Sequence, residues 1–179
     1  RFRKPLPITL TRKFRFPSSL SWDEALFRGT PYYAVSWGCA ALEIEIDPVN
    51  FTPRIMGIWS TLDCGHIYNP DTAQDNFEAE LLRTLHFCSH PSLIPGSNGW
   101  DSTKILFPRP QYVPELDIQL VPNSSYSASG ISGLAAALIA PAYVNAVNQA
   151  TGASFNKIPI TPVDVRNFLQ PGVESEKES

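Results

Sequence analysis

Cys64-Gly65-His66 and Cys88-Ser89-His90 are two Cys-x-His pairs, and together they carry the ligand types of a tetrahedral zinc site. A single residue between ligands is not the spacing of the common zinc modules. On a strand it turns both side chains of a pair the same way, where one ion is hard to share. We therefore read the pairs as buried thiols and partly exposed histidines. Gly130-Ile131-Ser132-Gly133 lies where a loop meets a helix, a place that exposes a serine Oγ beside backbone N–H donors. The nucleophile elbow needs glycine where Leu134 stands, and spacing assigns no His and acid pair to Ser132, so hydrolysis is not expected. The wider loop Ser124 to Gly133 sets hydroxyls and small residues ahead of a helix start, where unpaired N–H groups and the helix dipole favour a phosphate or an oxo group. A plain linker has the same composition, and both readings stand; the Lys-Ser/Thr of a nucleotide loop is absent. Asp63, Asp71, Asp75, Glu78 and Glu80 are the carboxylates available for acid/base work, and a solvated helix face accounts for most of them.

The elements that must position these residues follow from periodicity. Ala34 to Asp47 alternates, with Leu42, Ile44 and Ile46 opposite Glu43, Glu45 and Asp47, as a half-buried strand does. Asp47 to Pro53 is dense in turn residues and Arg54 to Leu62 resumes an extended apolar pattern, predicting an antiparallel hairpin at the centre of a sheet. Asn69-Pro70-Asp71 supplies a capping residue, Pro at the first helical position and an acid at the positive end of the dipole. Ala73, Phe77, Leu81, Leu85 and Cys88 then recur on one helical face up to His90-Pro91. Pro91 to Pro114 is a long connection containing Trp100, and such loops are usually functional or interfacial. Leu116 to Val121 reads as a strand and Leu134 to Ala150 as an Ala-rich helix. Pro141 starts its main part or kinks it, and Gly152 caps it. Thr161-Pro162-Val163-Asp164 is a capping box before a short last helix, and residues 172–179 form a charged tail expected to fray. Strands and helices mix without a regular repeat, so the fold class is α+β, a mixed or antiparallel sheet with flanking helices.

Composition sets the outer bounds. A chain of 179 residues with 43% hydrophobic content buries one sizeable core, so residues 1–179 are expected to form a single domain. Fourteen basic residues against seventeen acidic give a net charge of -3, and no basic stripe is present to neutralise a phosphate backbone, which excludes nucleic acid as a partner. No apolar run is long enough to span a bilayer, and Arg1-Phe2-Arg3-Lys4-Pro5 has no signal-peptide core behind it; a soluble cytoplasmic protein with no membrane partner is expected. Three cysteines at irregular spacing argue against a disulfide framework, and the acceptor patterns at Asn50 and Asn123 carry no weight outside a secreted chain. The chain starts at Arg1 rather than Met and is expected to be a piece of something longer. Trp22, Trp37 and Trp100 are candidate anchors for a partner chain, with core or loop packing the plainer account of each.

Five strings carry a resemblance in order: Trp37 to Pro48 (W-G-C-A-A-L-E-I-E-I-D-P), Asp63 to Pro70 (D-C-G-H-I-Y-N-P), Val113 to Ile118 (V-P-E-L-D-I), Ala140 to Val147 (A-P-A-Y-V-N-A-V) and Ile158 to Pro162 (I-P-I-T-P). From about residue 12 to residue 169 the chain resembles the C-terminal part of the molybdopterin-binding large subunit of the xanthine dehydrogenase/aldehyde oxidase family, the molybdenum hydroxylases. The resemblance implies a molybdenum-cofactor-binding-domain-like fold, molybdopterin as cofactor, and an oxidoreductase that hydroxylates aldehydes or N-heterocycles with oxygen from water. It also implies partners: the remainder of the large subunit, and iron–sulfur and FAD subunits or domains.

In that family a glutamate following K-G-x-G acts as the base. Counting back from Pro141, this glutamate falls on Gly133, the preceding glycine on Ser132 and the lysine on Ser129, while Gly130 and Ile131 keep something of the pattern. The G-Q-x-E-G-G helix start falls on residues 75–80, where Asn76 retains an amide and Ala79 and Glu80 replace the two glycines, obstructing close backbone approach to a pterin. The resemblance thus places cofactor contacts at Asn76, Ser129, Gly130, Ile131 and Ser132 and leaves no catalytic residue and no metal ligand. A base must reach the proton it takes, and Gly133 has no side chain to reach with, so the chain is not expected to perform this chemistry alone. Neither Glu78 nor Glu80 is expected at the site. A non-catalytic assembly or interaction module that retains the fold is the alternative.

Overall fold

The computed structural model describes residues 9–13, 15, 20–89, 114–123 and 128–171. It divides into two compact units, Arg1–Val35 and Ser36–Ser179. In the first, β1 (Ser21–Asp23) pairs antiparallel with β2 (Arg28–Thr30). Asp23 turns this hairpin by accepting the N–H groups of Ala25 and Leu26 at 3.0 and 3.1 Å, and the Trp22 and Phe27 rings meet edge to face at 6.2 Å. Gly29 allows the pairing, because a Cβ there would lie 2.1 Å from the Ser21 carbonyl oxygen.

The second unit holds a three-stranded sheet in the order β3 (Trp37–Ile46), β4 (Pro53–Asp63), β5 (Glu115–Leu120). The hairpin β3/β4 forms as its alternation dictates, with Asp47 accepting the N–H groups of Val49 and Asn50 in the turn and a bulge at Glu43/Ile44. Among the described residues only β4 is central. β3 lies at an edge, and β5 joins β4 in parallel, so the sheet is mixed.

The three described helices follow the local signals. α1 (Pro70–Ser89) starts at Asn69, whose side chain accepts the Thr72 N–H at 3.1 Å, and it buries Phe77, Leu81, Leu85 and Cys88 on one face. α2 (Leu134–Thr151) buries Ala135, Ile139, Tyr143 and Val147, every fourth residue, and ends at Gly152 with φ 74°. Pro141 does not begin this helix but lies inside it, withdrawing one backbone donor. α3 (Pro162–Leu169) starts with the capping box of Thr161 and Asp164, and Lys157 bonds the same carboxylate at 2.6 Å. Ile58, Leu62, Phe77, Leu81, Leu85, Ala135 and Ile139 form one core cluster between sheet and helices; Cys88, Tyr143, Val147, Ile160 and Val165 form a second.

The connection 90–113, with Trp100, and the tail 172–179 lie outside the described residues. No described helix is long and apolar enough to cross a membrane.

Candidate functional site at the start of the second long helix

The strand ends, the loop 128–133 and one face of α1 meet at one end of the second unit. Asp63, the last residue of β4, accepts the Gly65 N–H at 3.0 Å and the Asn123 side-chain amide at 2.9 Å, which ties the turn after β4 to the end of β5. These two donors hold the Asp63 carboxyl below the usual carboxylate range. The turn then receives the loop: the Ser129 N–H donates to the Cys64 carbonyl at 2.9 Å, and the Ser36 hydroxyl donates to the Gly130 carbonyl at 2.6 Å. The loop is anchored to the sheet before α2 begins.

Gly133 is the N-cap of α2 and holds a left-handed conformation, φ 79°. A glycine has no side chain to cap with, the first turn of α2 carries no acid, and the position where a capping box places its Glu is Ala136. The missing carboxylate comes from another helix. Glu80 of α1, partly buried, accepts the Gly133 N–H at 2.8 Å. It sits at the positive end of the α2 dipole, where a negative charge is favoured. The expectation that Glu80 stays away from Gly133 is corrected here. The tertiary packing of α1 on α2 carries position 80 to the loop, a contact that no local spacing encodes.

The other candidate residues divide around this bond. Asn76 is exposed and one helical turn from Glu80, on the same face of α1. Ser132 is exposed, Ser129 and Ile131 are half-buried, and a Cβ added at Gly130 or Gly133 would meet nothing within 4 Å, so the loop borders open space. Glu78 accepts the Gln74 side-chain amide at 2.9 Å on its own helix; Asp71 and Asp75 are exposed on the first turns of α1. Residues 124–127 of the small-residue loop lie outside the described residues.

The Cys-x-His geometry differs from the strand assumed for it: Cys64 and His66 lie in the turn after β4, while Cys88 is in the last turn of α1 and His90 is outside the described residues. Burial pushes the Cys88 thiol up to about 11, and burial together with Asp63 raises that of Cys64, so both are protonated near neutral pH. His66 instead stacks edge to face on Tyr68 at 4.7 Å. Among the described residues no three His, Cys, Asp or Glu side chains are grouped to hold a metal ion.

The polar groups along the loop and this face of α1 are the Asn76 amide, the Ser129 and Ser132 hydroxyls, loop backbone and the Glu80 carboxylate. The Gly133 N–H is already engaged by Glu80 and is not among them.

The family model described as a molybdopterin cofactor-binding domain matches residues 3–78. The chain is 28% identical over 161 residues to the nicotine 6-hydroxylase large subunit of Paenarthrobacter nicotinovorans, covering 84% of this chain and 20% of that one. It is 23% identical over 137 residues to a probable xanthine dehydrogenase subunit of Bacillus subtilis (strain 168), covering 73% of this chain and 18% of the relative. In fold it is similar to the aldehyde oxidoreductase of Desulfovibrio gigas, with a TM-score of 0.66 at 22% identity over 85% of this chain and 17% of that chain. The chain spans about a fifth of the length of the curated relatives it matches. The resemblance to the molybdopterin-binding region of xanthine dehydrogenase/aldehyde oxidase-like proteins therefore holds in sequence and in fold, and molybdopterin is the cofactor to which it points.

Proposed function

We propose that this chain is a C-terminal stretch of the large subunit of a xanthine dehydrogenase/aldehyde oxidase-like molybdenum hydroxylase, a cytoplasmic oxidoreductase of aldehydes or N-heterocycles, and that it is inactive by itself. Its partners are the remainder of the large subunit and iron–sulfur and FAD subunits or domains. The observation that carries this reading is the loop 129–132 bordering open space beside the Asn76 face of α1, in a chain whose first 78 residues include the match to a molybdopterin-binding domain. Asn76, Ser129, Gly130, Ile131 and Ser132 would hold one edge of the cofactor. When bound, the cofactor supplies the redox centre for hydroxylation. What this chain contributes is orientation: the Cys64 and Gly130 carbonyls fix the loop, and Asp63 fixes the turn on which it rests. Position 133 itself has no side chain to take a proton, and its N–H is engaged by the Glu80 carboxylate.

A test is hydroxylation in water enriched in heavy oxygen, with an N-heterocycle or aldehyde as substrate. The native full-length assembly is expected to place solvent oxygen in the product, and the 179-residue chain alone to give none. Turnover by the isolated chain would overturn the second half of the reading; an assembly inert to both substrate classes would overturn the first.

A non-catalytic assembly module that keeps the fold is the second reading. The sheet face that no described helix covers, with Trp37 and Trp59 exposed, is what favours it.

A further inference from the structure

Among the described residues the three-stranded sheet carries α1 and α2 on one face, and the register fixes what lies on the other. Glu43, Gly57 and Glu115 share one level across β3, β4 and β5; Ala41, Trp59 and Asp117 share the next; Cys39, Thr61 and Gln119 the one after. Trp37 precedes Cys39 by two residues and joins the same face. Trp59 is 42% exposed and Trp37 70%, large apolar areas for side chains of a sheet.

Trp59 does not stand free above the strand. A Cβ at Gly57 would lie 2.6 Å from its Cη2, so the indole lies over Gly57, on the level whose flanking residues are Glu43 and Glu115. Both glutamates are exposed, as is Asp117 beside Trp59. An indole face bracketed by carboxylates is a receptor for a cation: the ring quadrupole attracts it and the carboxylates pair with it.

We propose that this face docks a partner polypeptide whose apolar stripe is flanked by lysine or arginine, with one of those cations over Trp59 between Glu43 and Glu115. Charge decides the occupant. A second copy of this chain in a symmetric contact would bring the same acids against each other, and a nucleic acid or an anionic lipid surface would meet them with its own negative charge. The inference goes beyond the molybdenum reading and does not depend on it.

The probe is a pair of synthetic helical peptides with the same leucine stripe, one flanked by lysine and one by glutamate, titrated against the 179-residue chain by fluorescence anisotropy. The lysine peptide is expected to bind at least about tenfold more tightly, with affinity falling as salt rises. Glu115→Lys/Asp117→Lys, both at exposed positions, is expected to lower that affinity about tenfold or more while leaving the melting temperature unchanged, and Trp59→Thr to lower it independently. Equal binding of the two peptides, binding of neither, affinity unmoved by the charge reversal, or self-association of the chain through this face would each overturn the proposal. No cofactor enters these measurements, so their failure leaves the molybdenum reading standing, and its failure leaves them valid.

Discussion

The Glu80 carboxylate lies 2.8 Å from the backbone N–H of Gly133, joining two helices across 53 residues of sequence. The bond supplies what α2 lacks locally. Replacing Glu80 by Ala leaves the N-cap N–H without its acceptor and is expected to destabilise the chain by about 1 kcal/mol, as loss of a cap does. Glu80→Gln keeps an acceptor oxygen and is expected to cost less than half of that. Urea denaturation of the three proteins checks the order; equal stability of all three would mean the bond contributes nothing.

Gly133 is tested from the other side. Its φ of 79° disfavours any L side chain, yet a Cβ would meet no atom within 4 Å. Gly133→Ala should therefore cost about 1 kcal/mol from backbone strain alone, and Gly133→Asn clearly less, because Asn tolerates this conformation. If the two substitutions destabilise equally, crowding rather than strain governs the position.

Tyr143 is fully buried, and its hydroxyl has no hydrogen-bond partner among the described residues. Burial and the neighbouring Cys88 raise its pKa, so it is a neutral phenol at any working pH. Tyr143→Phe removes an unsatisfied polar atom and keeps the ring, so it is expected to leave stability unchanged or raise it by up to about 1 kcal/mol. A loss of more than that in thermal melts would show that the hydroxyl has a stabilising role.

Acid should loosen the site and the last helix together. Asp63 is held low by the Asn123 amide and the Gly65 N–H. Asp164 is also low, because its bonds from Lys157 and Thr161 outweigh the effect of burial, which alone would raise it. A carboxyl with a depressed folded pKa binds its proton more readily in the unfolded chain. Its stabilisation is therefore present above the ordinary value of 3.8 and is lost as pH falls through the folded value. The melting temperature is expected to fall as pH drops below about 4, and to fall less in Asp63→Asn. An unchanged acid slope in that variant would argue against the assignment.

What was legible in the sequence was local. Asn69-Pro70, Thr161 with Asp164, and Gly152 each announce a helix boundary within four residues, and each forms as read. The β3/β4 alternation likewise needs only neighbours. The parallel seat of β5 beside β4 and the reach of Glu80 to Gly133 depend on which elements pack together, which spacing does not state. Trp59 gives no signal for the same reason: its exposure follows from the sheet face it occupies and from Gly57 beneath its ring, and in the sequence it reads as one more apolar residue of a strand. The hairpin of β1 and β2 has no periodic pattern to read, since its strands are three residues each.

The most direct test of the central claim is the molybdenum and organic pterin content of the native full-length protein, purified with its neighbouring subunits. The account predicts one molybdenum and pterin per chain, reduced when Asn76 and Ser132 are both replaced by bulky apolar residues. A native assembly free of both would contradict it and leave the fold as a scaffold.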